Sequence, residues 1–493
     1  MTVPIPPSTP VLVGVGQLSH KPGDLDDAVE ALELMARACE LAALDAGSTQ
    51  LLSSASTIAA VKGAWKYSDP ARLLADRFGA SDARTVLSTD GGNTPQSLVN
   101  RLAMRIAEGA TDVSIIVGAE TIWSRRRARR AGMWIDMIEQ TDIKPDEVAG
   151  ADLDMVDPFE QSRGLSQPIH MYPLFESAVR YSNGETLNEH RDRLSRLWAG
   201  FNEVAVANPN AWFRTPMSAD EIRNPSGSNR MIGFPYTKAM NSNWDLDQAA
   251  ALILCPAETA EQLGVCRDRW VFPLAGTDGS DTQTVTNRGV LHESPAIRVA
   301  GGRCLEMAGV GPDEVGHIDL YSCFPSAVQI GAREIGFGLD RQLTVTGGLT
   351  FAGGPLNNYV THSIATMAGV LRDDPGSVGF CSANGGFVTK HAFGAYSTDP
   401  PANGYWTENC QNDIDTHPTA IGAPDHVGPV EIEAYTVMFD ADGPERALVA
   451  CRVAPGVRTW ANSNDPDLMA AMTETEFIGK TGSVDGEGVL TVN

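Results

Sequence analysis

The chain has 493 residues and a formal net charge of −25, from 37 Lys and Arg against 62 Asp and Glu. Its length has room for roughly three domains, and its 42% of hydrophobic residues is typical of globular rather than disordered proteins. The negative charge repels nucleic-acid phosphates and anionic lipids, which argues against both as partners. Eight cysteines are too few for a disulfide framework. Because Met1–Pro10 lacks a signal-peptide pattern and no apolar run could span a bilayer, we expect a soluble cytoplasmic protein.

The first part of the chain alternates between strand and helix patterns. Short apolar runs predict strands, and apolar residues with a helical period predict helices. The predicted elements are strands at 11–15, 57–61, 85–88 and 112–117 and helices at 26–46, 70–78 and 97–107. Repeated βα units with apolar strands indicate a buried, mostly parallel sheet.

The alternation stops at residue 122 and resumes with a strand at 249–254. The intervening residues are rich in Pro, Trp, Tyr and Asn and contain a helix at 184–206, and they are too numerous for a loop. A second series then repeats the pattern of the first, which indicates an internal duplication. Its predicted elements are helices at 296–308, 326–335 and 356–371 and strands at 317–321 and 378–382.

The end of the chain has a different pattern. Residues rich in Pro, Asn, Asp and Gly precede β-rich runs at 430–439 and 447–453 and a hairpin at 476–492, which predict a small barrel. The last 67 residues hold 11 acidic against four basic side chains, which opposes nucleic-acid binding there. The predicted domains are a first half at 1–255 with an inserted subdomain at 122–243, a second half at 256–400, a linker at 401–426 and an all-β barrel at 427–493.

Five stretches resemble the motifs of one enzyme superfamily, in the same order. They are His170-Met171 with Glu176, Asn241–Leu254 (NSNWDLDQAAALIL), Asp319–Phe324 (DLYSCF), Thr346–Pro355 (TGGLTFAGGP) and Cys381–Gly386 (CSANGG). On a duplicated βα pattern, they identify residues 10–400 as similar to the thiolase superfamily, including its sterol-carrier-protein type.

The resemblance implies an α/β fold of five layers, made of two βαβαβαββ halves, with the insertion over a CoA site and the small β-barrel added. It also implies Claisen condensation of acyl-CoAs or its thiolytic reverse, a function in lipid metabolism. In that chemistry a cysteine thiolate attacks a thioester, a second cysteine moves a proton and two oxyanion holes stabilise negative charge.

The catalytic positions implied by the resemblance are mostly occupied by other residues. The family nucleophile falls on Gly92, or on Asn93 after a slip of one residue, and the family histidine falls on Gly354. Tyr321 replaces an Asn or His. Cys381 matches the acid/base cysteine and Cys323 a cysteine of the sterol-carrier-protein type, so these two are the candidate catalytic residues.

Other residues are candidates for ligand binding. The resemblance places His170 and Met171 beside a pantetheine tunnel, although a packed His-Met pair explains them equally well. Asn241 and Asn243 match the family's Asn-Ala-Ser segment and are also candidates for ligand binding. Asn93 begins a helix whose free N–H groups could bind an oxyanion. The basic cluster Arg125, Arg126, Arg127, Arg129 and Arg130 has the chemistry to bind CoA phosphates, or forms a solvated face. No His, Cys or carboxylate spacing is typical of a metal site, and no covalently bound cofactor is expected.

Three functions remain open at this point. The first is a catalytically degenerate thiolase-like protein that binds CoA, an acyl-CoA or a lipid thioester. The second is an acyl-CoA C-acyltransferase that uses Cys381 in a different arrangement. The third is a scaffold that recruits a protein partner through its C-terminal β-domain. Monomer and dimer are both compatible with the sequence.

Overall fold

The computed structural model describes residues 5–141 and 143–492. Met1–Pro4, part of the segment judged to lack a signal-peptide pattern, lies outside these ranges. Within them, no helix combines the length and apolarity needed to cross a bilayer.

The first half forms a six-stranded sheet in the order β1-β8-β4-β2-β3-β5. Strands β4, β2, β3 and β5 run parallel, whereas β8 is antiparallel to both β4 and β1. The elements before the insertion are β1 (Pro10–Ser19), α1 (Ala31–Asp45), α2 (Gln50–Ser53), β2 (Ala55–Ala60), α3 (Pro70–Phe78), β3 (Arg84–Ser88), α4 (Thr94–Ala107) and β4 (Val113–Thr121). Helix α1 begins later than the predicted residue 26 because the backbone is extended at Ala28 and Glu30.

The insertion is mostly helical but also contributes β5 to the edge of this sheet. Its elements are α5 (Ile122–Arg130), β5 (Glu147–Ala149), α6 (Pro158–Ser162), α7 (Pro168–Ser182), α8 (Leu187–Ala207), α9 (Ala219–Arg223), β6 (Met231–Gly233) and β7 (Tyr236–Thr237), and β8 (Asp247–Pro256) then returns to the sheet. The predicted helix at 184–206 corresponds to α8. The sequence patterns did not predict α5 or α7.

The second half forms a five-stranded sheet in the order β10-β11-β12-β9-β13. Its elements are α10 (Ala257–Gln262), β9 (Phe272–Ser280), α11 (Gly302–Ala308), β10 (His317–Asp319), α12 (Pro325–Ile335), α13 (Gly348–Phe351), α14 (Tyr359–Asp373), β11 (Val378–Gly385), β12 (Lys390–Ser397) and β13 (Trp406–Asn409). The order β9-β12-β11-β10 repeats β1-β8-β4-β2 of the first half, with the same strand directions. This repeat confirms the predicted duplication.

The five-layered α/β architecture is confirmed, with one difference between the halves. Helices α4 and α14 lie between the two sheets, α1 and α3 cover the outer face of the first, and α11 and α12 that of the second. The second half has no counterpart of β3 among the described residues. Where that strand would lie, the Thr344 and Thr346 hydroxyls donate to the buried Asp319 carboxylate.

The C-terminal residues form a curled sheet in the order β14-β17-β16-β15-β18-β19. A bridge between Asn462 and Val489 brings β17 against the end of β19, so the sheet nearly closes on itself. Its elements are α15 (Gln411–Ile414), β14 (Ile421–Gly422), β15 (Gly428–Phe439), β16 (Pro444–Ala454), β17 (Val457–Ser463), α16 (Pro466–Glu474), β18 (Thr481–Val484) and β19 (Leu490–Val492). The unit is therefore β-rich as predicted, although α16 means that it is not all-β.

The segment predicted as a linker is ordered and joins two units. Strand β13 pairs with β9 of the second half, and β14 pairs with β17 of the C-terminal sheet. The buried Arg458 then anchors that sheet, because its guanidinium bonds Glu433 at 2.8 Å and the carbonyl oxygen of Thr286 at 2.9 Å. A buried charge needs partners of this kind, so the C-terminal unit is fixed to the second half.

The same unit also braces helix α7 of the insertion. The Tyr435 amide donates to the Ser177 hydroxyl at 3.0 Å, and Arg180 donates to Glu476 at 2.9 Å. Strand β15 also pairs with β6 of the insertion. The insertion and the end of the chain therefore fold against each other.

We expect the stability of the protein to depend on pH through Glu120, whose carboxyl group is buried at the end of β4. Burial raises the pKa of Glu120 to about 7, although its side chain accepts a hydrogen bond from Ala64 N at 2.9 Å. Because the folded pKa lies above the unfolded one, the folded state binds this proton more tightly. The wild type therefore loses stability as the pH rises from about 4.5 to about 7.

Glu120→Gln keeps the acceptor for Ala64 N and removes the titration. Its free energy of unfolding should equal that of the wild type near pH 4 and exceed it by up to about 3 kcal/mol near pH 8. Urea unfolding across this range measures the difference. A difference that does not change with pH would contradict the buried-carboxyl explanation.

Candidate functional site

A cavity of about 850 Å³ lies where both halves meet the insertion. Its lining comes from loops at the carboxyl ends of strands and from three parts of the insertion. The segments are 90–92 before α4, 321–324 after β10, 384–386 at the end of β11, 349–357 before α14, and 152–155, 167–172 and 241–244 of the insertion. The insertion therefore covers the cavity, as the resemblance implied.

Two consecutive glycines form the cavity wall beside the N-terminus of α4. A Cβ atom on Gly92 would overlap the Tyr321 hydroxyl and lie 2.5 Å from the carbonyl oxygen of Asn384. Gly91 has a φ of +149°, and a Cβ atom there would lie 2.9 Å from Nζ of Lys390. The space that side chains at 91 and 92 would fill is thus taken by the neighbouring Asn93 side chain and by Lys390, Tyr321 and the Asn384 backbone of the second half.

Tyr321 presents a hydroxyl group to this cavity. The side chain is 9% exposed, packs edge-on against Tyr359, and makes no hydrogen bond through its hydroxyl to any described residue. Burial raises the pKa of Tyr321, so the phenol stays protonated and acts as a donor. The amide groups of Gly92 and Asn93 likewise have no acceptor within the described ranges. Tyr321 and Gly92 therefore give the cavity lining two donors without an acceptor among the described residues, whereas Asn93 does not line this cavity.

Gly354 also lines the cavity, at the position implied for the family histidine. A Cβ atom there would overlap the Ser242 hydroxyl, and the Gly354 amide donates to the Asn243 carbonyl oxygen at 2.8 Å. Asn241 lines the cavity, but Asn243 does not. The backbone of Asn243 instead ties the loop before α14 to the insertion.

The structure separates the two candidate cysteines. Cys323 lines the cavity together with Gly92, Tyr321 and Gly354, and burial raises its pKa to about 12. Cys381 is fully buried within β11, where its thiol contacts the Ser363 hydroxyl of α14 at 3.5 Å, and it does not line the cavity. Cys381 therefore does not border the same space as Cys323, because its side chain points into the central helical layer.

His170 and Met171 do not line the cavity either. Their neighbours in α7, Pro168, Ile169 and Tyr172, line it instead. Met171 packs in the core, and burial lowers the pKa of the half-buried His170. Asn93 lies on the far side of the glycine pair, where it lines a separate cavity of about 120 Å³.

The basic cluster lies on α5, and one member reaches the cavity rim. Arg126 pairs with Asp245 at 3.0 Å and lies over the ring of Trp244, which lines the cavity. Arg125 and Arg127 donate to backbone carbonyl oxygens of Ala64 and Pro22. Arg129 and Arg130 are exposed.

Sequence reasoning missed several cavity residues, of which Lys390 is the most notable. Lys390 is 8% exposed and begins β12 directly after the stretch Phe387–Thr389. A lysine at the start of an apolar strand could have drawn attention. No group of three or more metal-ligating side chains occurs in the described part of the chain.

Comparison with known proteins agrees with this architecture. A monomeric SCP2-thiolase-like protein type 1 from Mycobacterium smegmatis is 30% identical, and the match covers 99% of each chain with a TM-score of 0.85. The chain belongs to the SCP2-thiolase-like protein type 1 family. The family model of the thiolase-like protein type 1 additional C-terminal domain matches residues 409–489.

More distant relatives share parts of this thiolase-like protein. The acetyl-CoA acetyltransferase of Methanocaldococcus jannaschii is 24% identical over 239 residues, which are 48% of this chain. That match spans 53% of the relative, so the chain spans about half the length of the curated relatives it matches. The acetyl-CoA acetyltransferase of Syntrophomonas wolfei, 17% identical with a TM-score of 0.57, matches 79% of this chain and 99% of its own. At that identity it shows the fold alone.

We expect Gly92→Ala to destabilise the protein by about 1–3 kcal/mol, because the new methyl group overlaps Tyr321 and the Asn384 backbone. Gly369→Ala is the matched control, since nothing lies within 4 Å of a Cβ atom there and the residue is inside α14. That control should be neutral or stabilising by up to about 1 kcal/mol. Urea unfolding measures both, and equal effects would contradict the crowding at Gly92.

Proposed function

We propose that this thiolase-like protein binds CoA or an acyl-CoA thioester and lacks ordinary thiolase activity. The observation on which this depends is a cavity of about 850 Å³ whose wall, at the implied nucleophile position, has no side chain of its own and is filled by the Tyr321 hydroxyl. A thioester fits such a space, but a thiol nucleophile has no place in it.

The lining suits a pantetheine arm with its acyl group. Apolar side chains in the wall offer van der Waals contact, and the Tyr321 hydroxyl and the Gly92 amide suit a thioester carbonyl oxygen. The apolar members are Leu153, Met155, Ile169, Phe324, Leu349 and Leu356. The site therefore has apolar contact for the carbon chain and hydrogen bonds for one oxygen.

Charge determines where the CoA phosphates would lie. Asp90, Asp152 and Asp154 border the cavity and repel phosphate. Trp244, 51% exposed, also lines the cavity, and Arg126 lies over its ring. We therefore place the nucleotide end of CoA at Trp244, with its adenine against the indole and its phosphates toward α5.

The cysteines argue against thiolysis. Cys323 reaches the cavity, but with a pKa of about 12 only about one thiol in 10⁵ is ionised at neutral pH, and the thiolate is the nucleophile. Cys381 is sealed from the cavity, which removes the support for an acyltransferase that uses it.

CoA at about 100 times its dissociation constant should raise the free energy of unfolding by about 2.7 kcal/mol. Trp244→Ala should weaken CoA binding about tenfold, because stacking on a base contributes about 1–3 kcal/mol. Trp406→Ala is the matched control, with a ring 59% exposed and outside the cavity lining. Isothermal titration calorimetry measures the dissociation constant of CoA for the wild type and for both variants. If CoA and acetoacetyl-CoA both fail to bind the wild type, the proposal is wrong.

Consumption of acetoacetyl-CoA with CoA should stay at the rate of a protein-free control, because no described cysteine in the cavity is ionised. The loss of the thioester enolate absorbance measures this. Turnover by the wild type that Cys323→Ser abolishes would show thiolase chemistry and contradict the proposal.

A further inference from the structure

Lys390 is the only buried lysine among the described residues, and it lines the cavity. Its ammonium donates to the backbone carbonyl oxygen of Asp90 and forms no ion pair within the described ranges. The nearby Asp90 carboxylate is engaged elsewhere, with Lys62 at 2.7 Å and Asn357 at 3.1 Å. A buried lysine without a carboxylate partner is unusual, because burying an unpaired charge is costly.

The surroundings of Lys390 make its ammonium form less favourable than that of an exposed lysine. Burial lowers the pKa of Lys390, against the opposing charges of Asp152 and Asp90. The amine also lies beside Gly91, three residues before the first residue of α4, where the positive end of the helix dipole disfavours a cation. A neutral amine is a nucleophile, and desolvation or a nearby positive charge is a known means of activating lysine.

The glycine pair has a proton donor beside one residue and this amine beside the other. The Cβ position of Gly91 is 2.9 Å from Lys390 Nζ, and that of the adjoining Gly92 overlaps the Tyr321 hydroxyl. Both groups line the same cavity, and the phenol has no partner among the described residues. The phenol therefore occupies the place where the resemblance puts a thiol, and the amine lies beside the preceding residue.

We propose that Lys390 is a nucleophilic amine that forms an imine with a ketone ligand in this cavity, and that Tyr321 is the proton donor for that step. This rests on the proposed function in one respect, because a 3-oxoacyl thioester is the ketone that the pocket would hold. Lys390 Nζ adds to the ketone carbon, and the carbonyl oxygen becomes a hydroxyl group. That hydroxyl takes a proton and leaves as water while the nitrogen loses a proton, so ketone and amine give imine and one water.

The test is reductive trapping. The full-length protein is incubated with acetoacetyl-CoA, or with acetylacetone, in the presence of sodium cyanoborohydride, whose hydride reduces the imine to a stable amine. Peptide mass spectrometry should place the adduct, the mass of the ligand less one oxygen, on Lys390. Lys390→Arg keeps the charge and should reduce trapping at least tenfold, whereas Lys66→Arg changes an exposed lysine and should leave it unchanged.

Tyr321→Phe should slow imine formation with acetylacetone about 100-fold, the usual scale of general acid catalysis, without changing the site of modification. The imine of acetylacetone is present as its tautomer, an enaminone, and the rise in enaminone absorbance without cyanoborohydride gives this rate. Mapping the modified lysine in the wild type tests the proposal even if a variant fails to fold.

Acetylacetone needs no CoA site, so the two proposals fail separately. Trapping of acetylacetone on Lys390 without CoA binding supports the amine and overturns only the thioester pocket. CoA binding with adducts absent, or spread over exposed lysines, overturns the role of Lys390.

Discussion

The central helical layer is the constraint on which the rest of the molecule depends. Helices α4 and α14 are enclosed between two sheets, and their polar side chains bond across the layer rather than to water. Gln96 accepts from the Tyr396 hydroxyl at 2.9 Å, and Asn100 donates to Asp278 at 2.8 Å. Gln96 occupies the space above Gly394, where a side chain would collide with it. Buried polar groups that are satisfied in this way fix one register of helix against sheet.

This register positions the chemistry of the cavity. The loop that precedes α4 meets the ends of β10 and β11 only because α4 cannot slide between the sheets. Asn358, at the start of α14, donates to the Gly118 carbonyl oxygen at 2.7 Å, which holds the facing loop against the first sheet. The cavity therefore results from the close packing of the elements around it. Its polar groups stay close together because the elements that carry them cannot shift.

Much of the fold could be predicted from the sequence because its strands are buried on both faces and its helices have one apolar face. Helix α3 has the predicted ends, and the strand at 85–88 differs by one residue. The insertion could not be predicted in this way. Helix α7 is buried on several sides, so its residues show no helical alternation, and β5 has only three residues and exists because β3 offers an unpaired edge.

The sequence predicted those parts of the site that depend on the position of the backbone. It did not predict the side chains that reach the site from another strand. Gly92, Tyr321 and Gly354 converge as the resemblance implied, since strand ends of the two halves meet there. Cys381 does not join them, because alternation along β11 sends its side chain into the helical layer. Lys390 belongs to the next strand, and nothing in its local sequence shows that its amine reaches across to Gly91.

The brace on α7 has a consequence for biosynthesis. One face of α7, with Pro168, Ile169 and Tyr172, forms cavity wall, while Ser177 and Arg180 bond to strand β15 and to Glu476 near the end of the chain. A ribosome makes the two sheets and the insertion long before it makes these last partners. The first four hundred residues can therefore collapse around the central helices while one wall of the cavity still awaits its support. The wall formed by α7 has its support only after Tyr435 and Glu476 have been synthesised, so a product truncated before them would retain the core and lose the brace on its site.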